Sequence, residues 1–175
     1  MLYTGTCHSP LGTLLLACSC EGLTGVWFED QKYFAAGLAP EHVELETEDL
    51  ACTRQWLKVY FSGQEPDFFP RIHLTGTPFQ RMVWELLRHI PYGTITTYGA
   101  LARDMARAMG RSHMSAQAVG SAVGRNPLSI LVPCHRVVGS DGSLTGYAGG
   151  LERKARLLAQ EGVEPSRLRL PRGLA

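Results

Sequence analysis

The sequence predicts an α+β fold: a small N-terminal domain with a three-stranded antiparallel sheet and a helix, followed by a mostly helical C-terminal domain with a helix-turn-helix. Residues 2–29 consist of short apolar runs separated by turn residues, whereas later segments repeat apolar residues at helical spacing. The 175 residues are 45% hydrophobic and 19% charged, which suits one or two compact domains. We place the domains at 1–75 and 76–164, with a basic tail at 165–175.

Strands are expected around residues 2–7, 11–17 and 23–28. The turn sequences Ser9-Pro10-Leu11-Gly12 and Glu21-Gly22 separate them, as in a meander of hairpins.

The helix of the first domain is predicted by apolar residues at helical spacing, namely Leu50, Leu57, Tyr60 and Phe61. Ser62-Gly63 ends this helix. The following segment, 64–76, contains Pro66, Pro70 and Gly76 and is interpreted as a linker.

The second domain begins with the best-signalled helix of the chain. Thr77 is the predicted N-cap, Pro78 occupies the first helical position, and Gln80 completes a capping box. One apolar face follows, formed by Phe79, Met82, Val83, Leu86, Leu87 and Ile90. Pro91 then stops the helix.

A helix-turn-helix is expected next. A short strand-like stretch, Thr94–Thr97, precedes a helix from about Tyr98 to Met109, and a turn around Gly110–His113 leads to a second helix from about Ser115 to Gly124. The second helix is rich in glycine, alanine and serine, although an interior glycine costs roughly 0.5–1 kcal/mol. Such small side chains indicate either close helix packing or close approach of another molecule.

Charge divides the chain into two halves. Residues 1–70 carry a net charge of −7, whereas residues 71–175 carry +8, and thirteen of the fourteen basic residues in the second half are arginine. This asymmetry is typical of a polyanion-binding domain attached to a domain that does not bind polyanions. Scattered solvated arginines are the other interpretation.

The chain shows no signal-peptide pattern, and its longest apolar run, Leu14 to Cys18, is too short to cross a bilayer. A cytoplasmic location without membrane association is therefore expected.

The cysteines number five, an odd count without a CxxC pair, so we expect reduced thiols. Cys7, Cys18 and Cys20 lie near His8, but their spacing matches no standard zinc pattern. No metal or other cofactor is expected.

Residues 126–139 carry the reactive side chains. This apolar, β-branched run is broken by Pro133, so Cys134 is expected at a turn at the end of a buried strand. The neighbouring His135 completes the minimum set for making a thiolate near neutral pH. A Cys-His pair alone is a weak signal, because adjacent side chains often point apart.

Several ordered motifs make the prediction specific. They are Asn126-Pro127, Pro133-Cys134-His135-Arg136-Val137, Gly146-Tyr147-Ala148-Gly149-Gly150 and Leu157-Leu158-Ala159-Gln160-Glu161-Gly162. Together they resemble the active-site signature of the O6-alkylguanine-DNA alkyltransferases. The resemblance is strongest over 77–162, extends to Ser9–Gly12 in the first domain, and leaves out 165–175.

This resemblance implies a ribonuclease H-like N-terminal domain and a DNA-binding, alkyltransferase C-terminal domain. It implies DNA repair by stoichiometric, single-turnover transfer of an alkyl group from O6-alkylguanine, and in some cases O4-alkylthymine, to the protein's own cysteine, with the nucleotide flipped out of the helix. The partner would be double-stranded DNA, the protein a monomer, and no cofactor would be needed.

Catalytic roles follow by the same resemblance. Cys134 would be the nucleophile, His135 the base that reaches it through a water, Glu161 the acid that orients the imidazole, and Asn126 the brace of the turn. A carboxylate at a helix C-terminus opposes the helix dipole, which independently suggests that Glu161 has a partner. An exposed surface glutamate is the other interpretation. We expect this relay to lower the pKa of Cys134.

The resemblance also assigns a pocket for guanine. Tyr98 would help rotate the nucleotide and donate to the leaving base, Tyr147 would form a wall, the Ala148 N–H would meet O6, and the carbonyls of Cys134 and Val137 would accept from the amino group. Val123 is assigned to the same pocket. Plain aromatic packing is the other interpretation of the two tyrosines.

The second helix of the motif would lie in the DNA minor groove, where small residues permit close approach. These are Ala116, Ala118, Gly120, Ser121 and Gly124. Arginines placed to meet phosphates are Arg103, Arg107, Arg111 and Arg125.

The chain departs from the family pattern at two places. Gln117 replaces an arginine that in many members fills the space left by the flipped base. The turn region from about 106 to 114 is longer than the commonest version.

Alternative functions fit the sequence less well. A catalytically silent alkyltransferase-like module that binds damaged DNA would lack the nucleophile, and Cys134 is present. A thiol hydrolase would need a strand-to-helix nucleophile elbow, which the sequence does not show. A transcription regulator would need more than one short helix-turn-helix without a dimerisation element.

Overall fold

The computed structural model describes residues 1–173, and these divide into two compact units. One consists of Met1–Thr75 with Pro127–Ser129, and the other of Gly76–Asn126 with the chain from Ile130 onward. The first unit is a sheet with one helix and the second is mostly helical, so the α+β prediction is confirmed.

The sheet of the N-terminal unit contains the three predicted strands: β1 (Leu2–Ser9), β2 (Gly12–Ser19) and β3 (Gly22–Phe28). They form an antiparallel meander in which Thr4 faces Ala17 and Leu16 faces Val26. A fourth strand, β4 (His42–Glu44), was not predicted and pairs parallel to β1. All three of its residues are exposed, so the alternation of apolar and polar residues that marks a half-buried strand is missing.

Helix α1 (Glu48–Phe61) begins at the N-cap Thr47, whose side chain accepts from the backbone N–H of Leu50. Its buried face includes Trp56 and Tyr60, whose rings stack 5.3 Å apart. The predicted helix and its end at Ser62 are therefore confirmed.

The free edge of β3 is covered by two short segments of the same unit. Leu23 exchanges backbone hydrogen bonds with Arg71 and His73. Further along, Val26 donates to Pro127 and accepts from Ser129, at 2.8 and 3.0 Å. This pairing protects a strand whose residues are nearly all buried.

The C-terminal unit starts with α2 (Pro78–Arg88), and its predicted capping box is confirmed, because Thr77 and Gln80 bond to each other's backbone N–H groups. The unit continues through β5 (Thr96–Thr97), α3 (Tyr98–Ala108) and α4 (Ala116–Gly124).

Helices α3 and α4 form the predicted helix-turn-helix. Helix α3 ends in a Schellman motif, in which Gly110 takes a φ of 63° and Arg111 donates to the Ala106 carbonyl at 2.8 Å. Ser115 caps α4 by accepting from the backbone N–H of Ala118. The indole of Trp84 on α2 donates to the Ala122 carbonyl at 2.9 Å and so ties α2 to α4.

The segment before Cys134 is buried, but it is not a strand, so that prediction was wrong. Within residues 127–133 only Leu128 forms a β-bridge, and Ile130 has a φ of 71°, which removes the extended geometry that a ladder requires. The predicted turn is present, because Cys134–Arg136 form a single 3₁₀ turn.

Strand β6 (Val137–Val138) follows this turn and pairs parallel to β5. Helix α5 (Leu151–Gln160) comes next, and residues after it, including Leu168 and Leu170 of the expected tail, pack on a small core formed by Val138, Leu144, Leu158 and Val163.

No helix within residues 1–173 combines the length and apolar character that crossing a membrane requires. In the same residues, no three His, Cys, Asp or Glu side chains are grouped so as to hold a metal ion. All five cysteines are free.

Candidate active site

Cys134 lies at the start of the 3₁₀ turn, only 6% exposed, and is held by Asn126. The Asn126 side-chain amide donates both to the Val132 carbonyl at 2.8 Å and to the Cys134 sulfur at 3.2 Å. One buried amide therefore fixes both the backbone before the cysteine and the sulfur itself.

His135 and Glu161 meet in the interior. His135 Nε2 lies 2.6 Å from Glu161 Oε1, and both side chains are fully buried. Glu161 is the C-cap residue of α5, and Gly162 after it takes a φ of 79°, which ends the helix and turns the chain. The helix end thus places the carboxylate where the sequence predicted an acid with a partner.

Arg136 is a second partner of the same carboxylate. In the sequence it was recognised as part of a motif but was assigned no role. It donates to Glu161 from Nε at 2.8 Å and from Nη2 at 3.1 Å, and its Nη1 donates to the Ile90 carbonyl at 2.6 Å. The backbone N–H of Gly93 completes the set at 3.2 Å. Gly93 has a φ of 71°, and a Cβ there would lie 2.8 Å from the Glu161 carbonyl oxygen, so only glycine fits.

These contacts set the charges of the relay. Burial would raise the pKa of Glu161, but the hydrogen bonds and charges of His135 and Arg136 outweigh burial and lower the pKa to about 2. Burial lowers the pKa of His135 below its ordinary value, against the opposing effect of Glu161. The pair is therefore a carboxylate and a neutral imidazole.

The protonation state of His135 follows from its partner. A carboxylate only accepts hydrogen bonds, so the Nε2 atom carries the ring proton and Nδ1 is left with a lone pair. Nδ1 is buried, and no atom of residues 1–173 forms a hydrogen bond with it. It is the nitrogen available to take a proton.

Cys134 does not have the lowered pKa that we expected. Burial raises the pKa of its thiol above the ordinary value, and this effect outweighs the lowering by the Asn126 hydrogen bond and by the charge of Lys154. The expectation was wrong because a neutral His135 supplies no positive charge to the sulfur. The resting side chain is a thiol that must lose its proton in order to react.

Lys154 on α5 is a buried charge that the sequence interpretation missed. Its side chain donates to the carbonyls of Val137 at 2.5 Å, Thr145 at 3.0 Å and Gly146 at 3.4 Å, and it is not exposed. Burial lowers its pKa to about 8, although Cys134 acts in the opposite direction. Lys154 shares helical spacing with Leu157 and Leu158, which places it on the apolar face of α5. This spacing is the feature of the sequence from which its burial could have been predicted.

Tyr98, the first residue of α3, reaches the same loop as Lys154. Its hydroxyl donates to the Thr145 carbonyl at 2.8 Å, and burial, with a smaller contribution from the nearby Cys134, raises its pKa to about 12. The phenol therefore keeps its proton. Tyr147 from this loop presents its ring to His135 in an edge-on arrangement, with centroids 6.5 Å apart.

The remaining predicted pocket residues lie on different elements and differ in how far they are buried. Val137 is fully buried beside the cysteine turn, and its carbonyl already accepts from Lys154. Ala148 is half-buried in the loop that contains Tyr147. Val123, in contrast, lies 3% exposed on the packed face of α4.

Known proteins are similar in sequence to this chain over both units. A model of the 6-O-methylguanine DNA methyltransferase ribonuclease-like domain matches residues 2–72, and a model of the DNA binding domain of the same proteins matches residues 78–163. The chain belongs to the 6-O-methylguanine DNA methyltransferase family.

Individual relatives are similar along nearly their whole length. A methylated-DNA--protein-cysteine methyltransferase of Methanosarcina acetivorans is 41% identical over 92% of this chain and 99% of the relative. The constitutive enzyme of Bacillus subtilis is 39% identical over 93% of this chain and 97% of its own. The crystal structure of Mycobacterium tuberculosis OGT in complex with DNA has a TM-score of 0.78 and 37% identity, covering 95% of this chain and 94% of that chain.

In this methyltransferase family member, α4 has one buried and one exposed face. Val119, Ala122 and Val123 are buried. The predicted DNA-contacting residues Ala116, Gln117, Ala118 and Ser121 are all exposed. The small residues thus cover an open face of the helix.

Gly120 is small where α4 meets the ring of Tyr98. A Cβ at this position would lie 3.4 Å from the ring of Tyr98, so the glycine lets that ring pack closely on α4. Close packing is therefore observed at Gly120, whereas close approach of another molecule to α4 stays a prediction.

The predicted phosphate-binding arginines are exposed in the same unit. Arg103 and Arg107 lie on α3, Arg111 follows its end, and Arg125 is the C-cap of α4. Arg107 forms an exposed ion pair with Asp104 at 3.3 Å.

Proposed function

We propose that this protein repairs DNA by transferring the alkyl group of O6-alkylguanine, and of O4-alkylthymine where it fits, onto the sulfur of Cys134. The observation that carries the proposal is that two consecutive buried residues of one turn each have a buried partner, Cys134 a hydrogen bond from Asn126 and His135 a hydrogen bond with Glu161. Each protein molecule acts once, because a thioether has no route back to a thiol without a further reactant.

The chemistry begins with the Cys134 proton. His135 Nδ1 takes it through one water, and the resulting imidazolium is stabilised by the ionised Glu161 at 2.6 Å. The thiolate then attacks the alkyl carbon, so that an S–C bond forms while the C–O6 bond breaks and its electron pair leaves with guanine. Burial, which raises the pKa of the thiol, also makes the thiolate a strong nucleophile once it is formed.

The departing guanine gains negative charge and must receive a proton. The Tyr98 hydroxyl, whose pKa of about 12 keeps it protonated, is the donor we assign to this role. The phenolate regains a proton from the His135 imidazolium through solvent, so that the proton lost by Cys134 is balanced by the one gained by guanine. The present acceptor of the Tyr98 hydroxyl is the Thr145 carbonyl, so the hydroxyl exchanges that bond for one to the base. The Ala148 N–H binds O6 and the carbonyls of Cys134 and Val137 accept from the amino group, since a carbonyl already bonded to Lys154 keeps a second lone pair.

DNA binding is assigned to the exposed face of α4 in the minor groove, with the nucleotide rotated out of the stack. Ala116, Gly120 and Ser121 permit close approach, and Gln117 occupies the position next to the vacated stack. Arg111 and Arg125 contribute sequence-independent contacts to phosphates.

We further propose that the protein is a cytoplasmic monomer with reduced cysteines. One molecule contains every residue assigned to the reaction, so no partner subunit is required. Light scattering of the protein alone would reveal a larger assembly.

The test is to mix the protein with duplex DNA that carries O6-methylguanine and to locate the methyl group by peptide mass spectrometry. We expect one methyl group per protein molecule, on Cys134, and repair that stops when the protein is consumed. Continued turnover, or a label on another cysteine, would contradict the proposal. The silent-module alternative predicts binding of the damaged duplex with no label at all.

A further inference from the structure

Residues 165–171, here called the C-terminal segment, fold back onto residues 139–148, the Tyr147 loop. The segment begins with a 3₁₀ turn, Pro165–Arg167, shortly after residue 163, where the match to the DNA binding domain model ends. Leu168 and Leu170 then pack on the small core that includes Leu144 of the loop. The segment is therefore attached to the same part of the chain that contributes Tyr147 to the site.

The attachment is made by the backbone. The Arg169 N–H donates to the Gly142 carbonyl at 2.8 Å, and the Leu144 N–H donates to the Arg169 carbonyl at 3.1 Å. These two bonds form a parallel β-bridge between Ser143 and Arg169. The Arg169 side chain adds an ion pair with Asp141 at 3.1 Å, but both side chains are largely exposed, so this pair contributes little.

Gly142 is the point of closest approach. It has a φ of 79°, and a Cβ there would lie 2.4 Å from the Arg167 carbonyl oxygen. Gly63 has a similar φ of 85° but nothing within 4 Å of the corresponding Cβ position. Gly63 is needed for its backbone conformation alone, whereas Gly142 is also needed for contact with the C-terminal segment.

The residues that follow the bridge are those next to the candidate site. The Thr145 carbonyl accepts from the Tyr98 hydroxyl at 2.8 Å and from Lys154 Nζ at 3.0 Å, and the Tyr147 ring faces His135. In the proposed reaction the Tyr98 hydroxyl leaves Thr145 for the base. The loop then loses one attachment at the moment when it must hold guanine, while Lys154 and the C-terminal segment still hold it.

We propose that the C-terminal segment is a positioning element of alkyl transfer. Its pairing with residues 142–144 keeps Tyr147 and the Ala148 N–H in place against guanine while Tyr98 changes partner. The inference rests on the proposed repair function and deepens it by giving residues 165–171 a part in holding the base. The segment should therefore affect reactions that use the guanine pocket and leave the reactivity of the thiol itself unchanged.

The first experiment compares Arg169→Pro with Arg169→Ala in the full chain. Both variants lose the ion pair with Asp141, but only proline also lacks the N–H that donates to Gly142. Leu168 already has the extended conformation that proline requires of the residue before it, with φ −116° and ψ 138°. Arg169→Pro should slow benzyl transfer from free O6-benzylguanine about 10-fold, the scale of one misplaced hydrogen bond, and Arg169→Ala should retain most of the parent rate.

Iodoacetamide measures the thiol without the guanine pocket. Its rate of reaction with Cys134, located by peptide mass spectrometry, should be the same in the parent protein and in both variants. A parallel fall of the iodoacetamide and benzyl-transfer rates would indicate general damage to the cysteine turn and would overturn the inference. A parent-like benzyl-transfer rate in Arg169→Pro would overturn it as well.

The second experiment compares Gly142→Ala with Gly63→Ala. Both place a Cβ on a backbone of positive φ, but only Gly142→Ala would push against the C-terminal segment. Gly142→Ala should slow benzyl transfer as Arg169→Pro does, and Gly63→Ala should keep the parent rate. Because both changes break the same pairing, Gly142→Ala/Arg169→Pro should lose little more than either single variant. Losses that multiply would contradict a shared cause.

Amide hydrogen exchange tests the attachment without any substrate. Exchange of residues 139–148 should be faster in Arg169→Pro than in Arg169→Ala, while α2 serves as an internal reference that does not change. Equal exchange in the two variants would show that the segment does not hold the loop. Absence of benzyl transfer in the parent protein would reject the proposed repair function instead, and the exchange result would still show whether the segment holds the loop.

Discussion

The buried cluster around Cys134 and the exposed face of α4 differ in how their side chains are held. His135 and Glu161 are fully buried and bonded to each other and, through Glu161, to Arg136. Gln117 and Ser121 are exposed and have no side-chain hydrogen bond to another residue in the described chain that would fix them. On the function proposed above, the chemistry is arranged before DNA arrives, whereas the proposed recognition surface would acquire its partners from the DNA. Substitutions in the two regions should therefore impair different properties, alkyl transfer in the first and DNA binding in the second.

The largest effect is expected at Cys134. Cys134→Ser should abolish transfer to below detection, because an alcohol is far less acidic and less nucleophilic than a thiol. Binding of duplex DNA should persist, since the exposed face of α4 is untouched. Labelled-methyl transfer and fluorescence anisotropy measure the two properties, and a parallel loss of both would mean that the regions are not separable.

Glu161→Gln should come second, with transfer slowed on the order of 100-fold on duplex and free-base substrates alike. The amide cannot stabilise an imidazolium as a carboxylate does, and Arg136 loses its buried counter-charge, at about 3 kcal/mol in the free energy of unfolding. Glu164→Gln, at an exposed carboxylate three residues later, is the control and should change neither. A normal transfer rate in Glu161→Gln would contradict the role assigned to Glu161 in activating Cys134.

The same carboxylate predicts a dependence of stability on acid. The folded-state pKa of Glu161 is about 2, below the ordinary 4.5, so its stabilisation is fully present above pH 4.5 and is lost as the pH falls towards 2. Across that window the loss should reach about 3 kcal/mol, and about 2 kcal/mol by pH 3. Urea unfolding at pH 5 and pH 3 measures it. The parent protein and Glu161→Gln should differ less at pH 3 than at pH 5, and a constant difference would contradict the lowered pKa.

The smallest effect is expected on the recognition surface. Gln117→Arg should increase duplex affinity and the rate on duplex substrate by about 5-fold, because arginine fills more of the stack and adds a charge near phosphates. The rate on free O6-benzylguanine involves no flipping and isolates the chemical step. An equal gain on both substrates would place Gln117 in the chemical pocket instead.

Most elements of the fold could be predicted because their signals are local. The capping box of Thr77 and Gln80 and the N-cap Ser115 lie within a few residues of the helices they begin. Strand β4 escaped prediction because its pairing with β1 is formed across some 40 intervening residues and leaves it exposed. The supposed strand before Cys134 failed for the opposite reason, since β-branched residues fill the core there without a ladder.

The sequence indicated the residues of the candidate site but not their electrostatics. Motifs pointed to Cys134, His135, Asn126 and Glu161, which form two hydrogen-bonded pairs, Asn126 with Cys134 and His135 with Glu161. The acidity of the thiol depends on the balance between burial and several distant charges, which adjacency in the sequence does not reveal. Lys154 contributes to that balance from α5, twenty residues after the cysteine.

The burial of Lys154 has a practical consequence for attaching this protein to a surface. The chain contains three lysines, and the other two, Lys32 and Lys58, are exposed and belong to the N-terminal unit. Reagents that couple to lysine amines at neutral pH will therefore react on that unit and leave the second one unmodified. A sensor chip or bead prepared in this way would be attached through the N-terminal unit alone, without any engineered tag, and would leave the side chains of α4 unmodified.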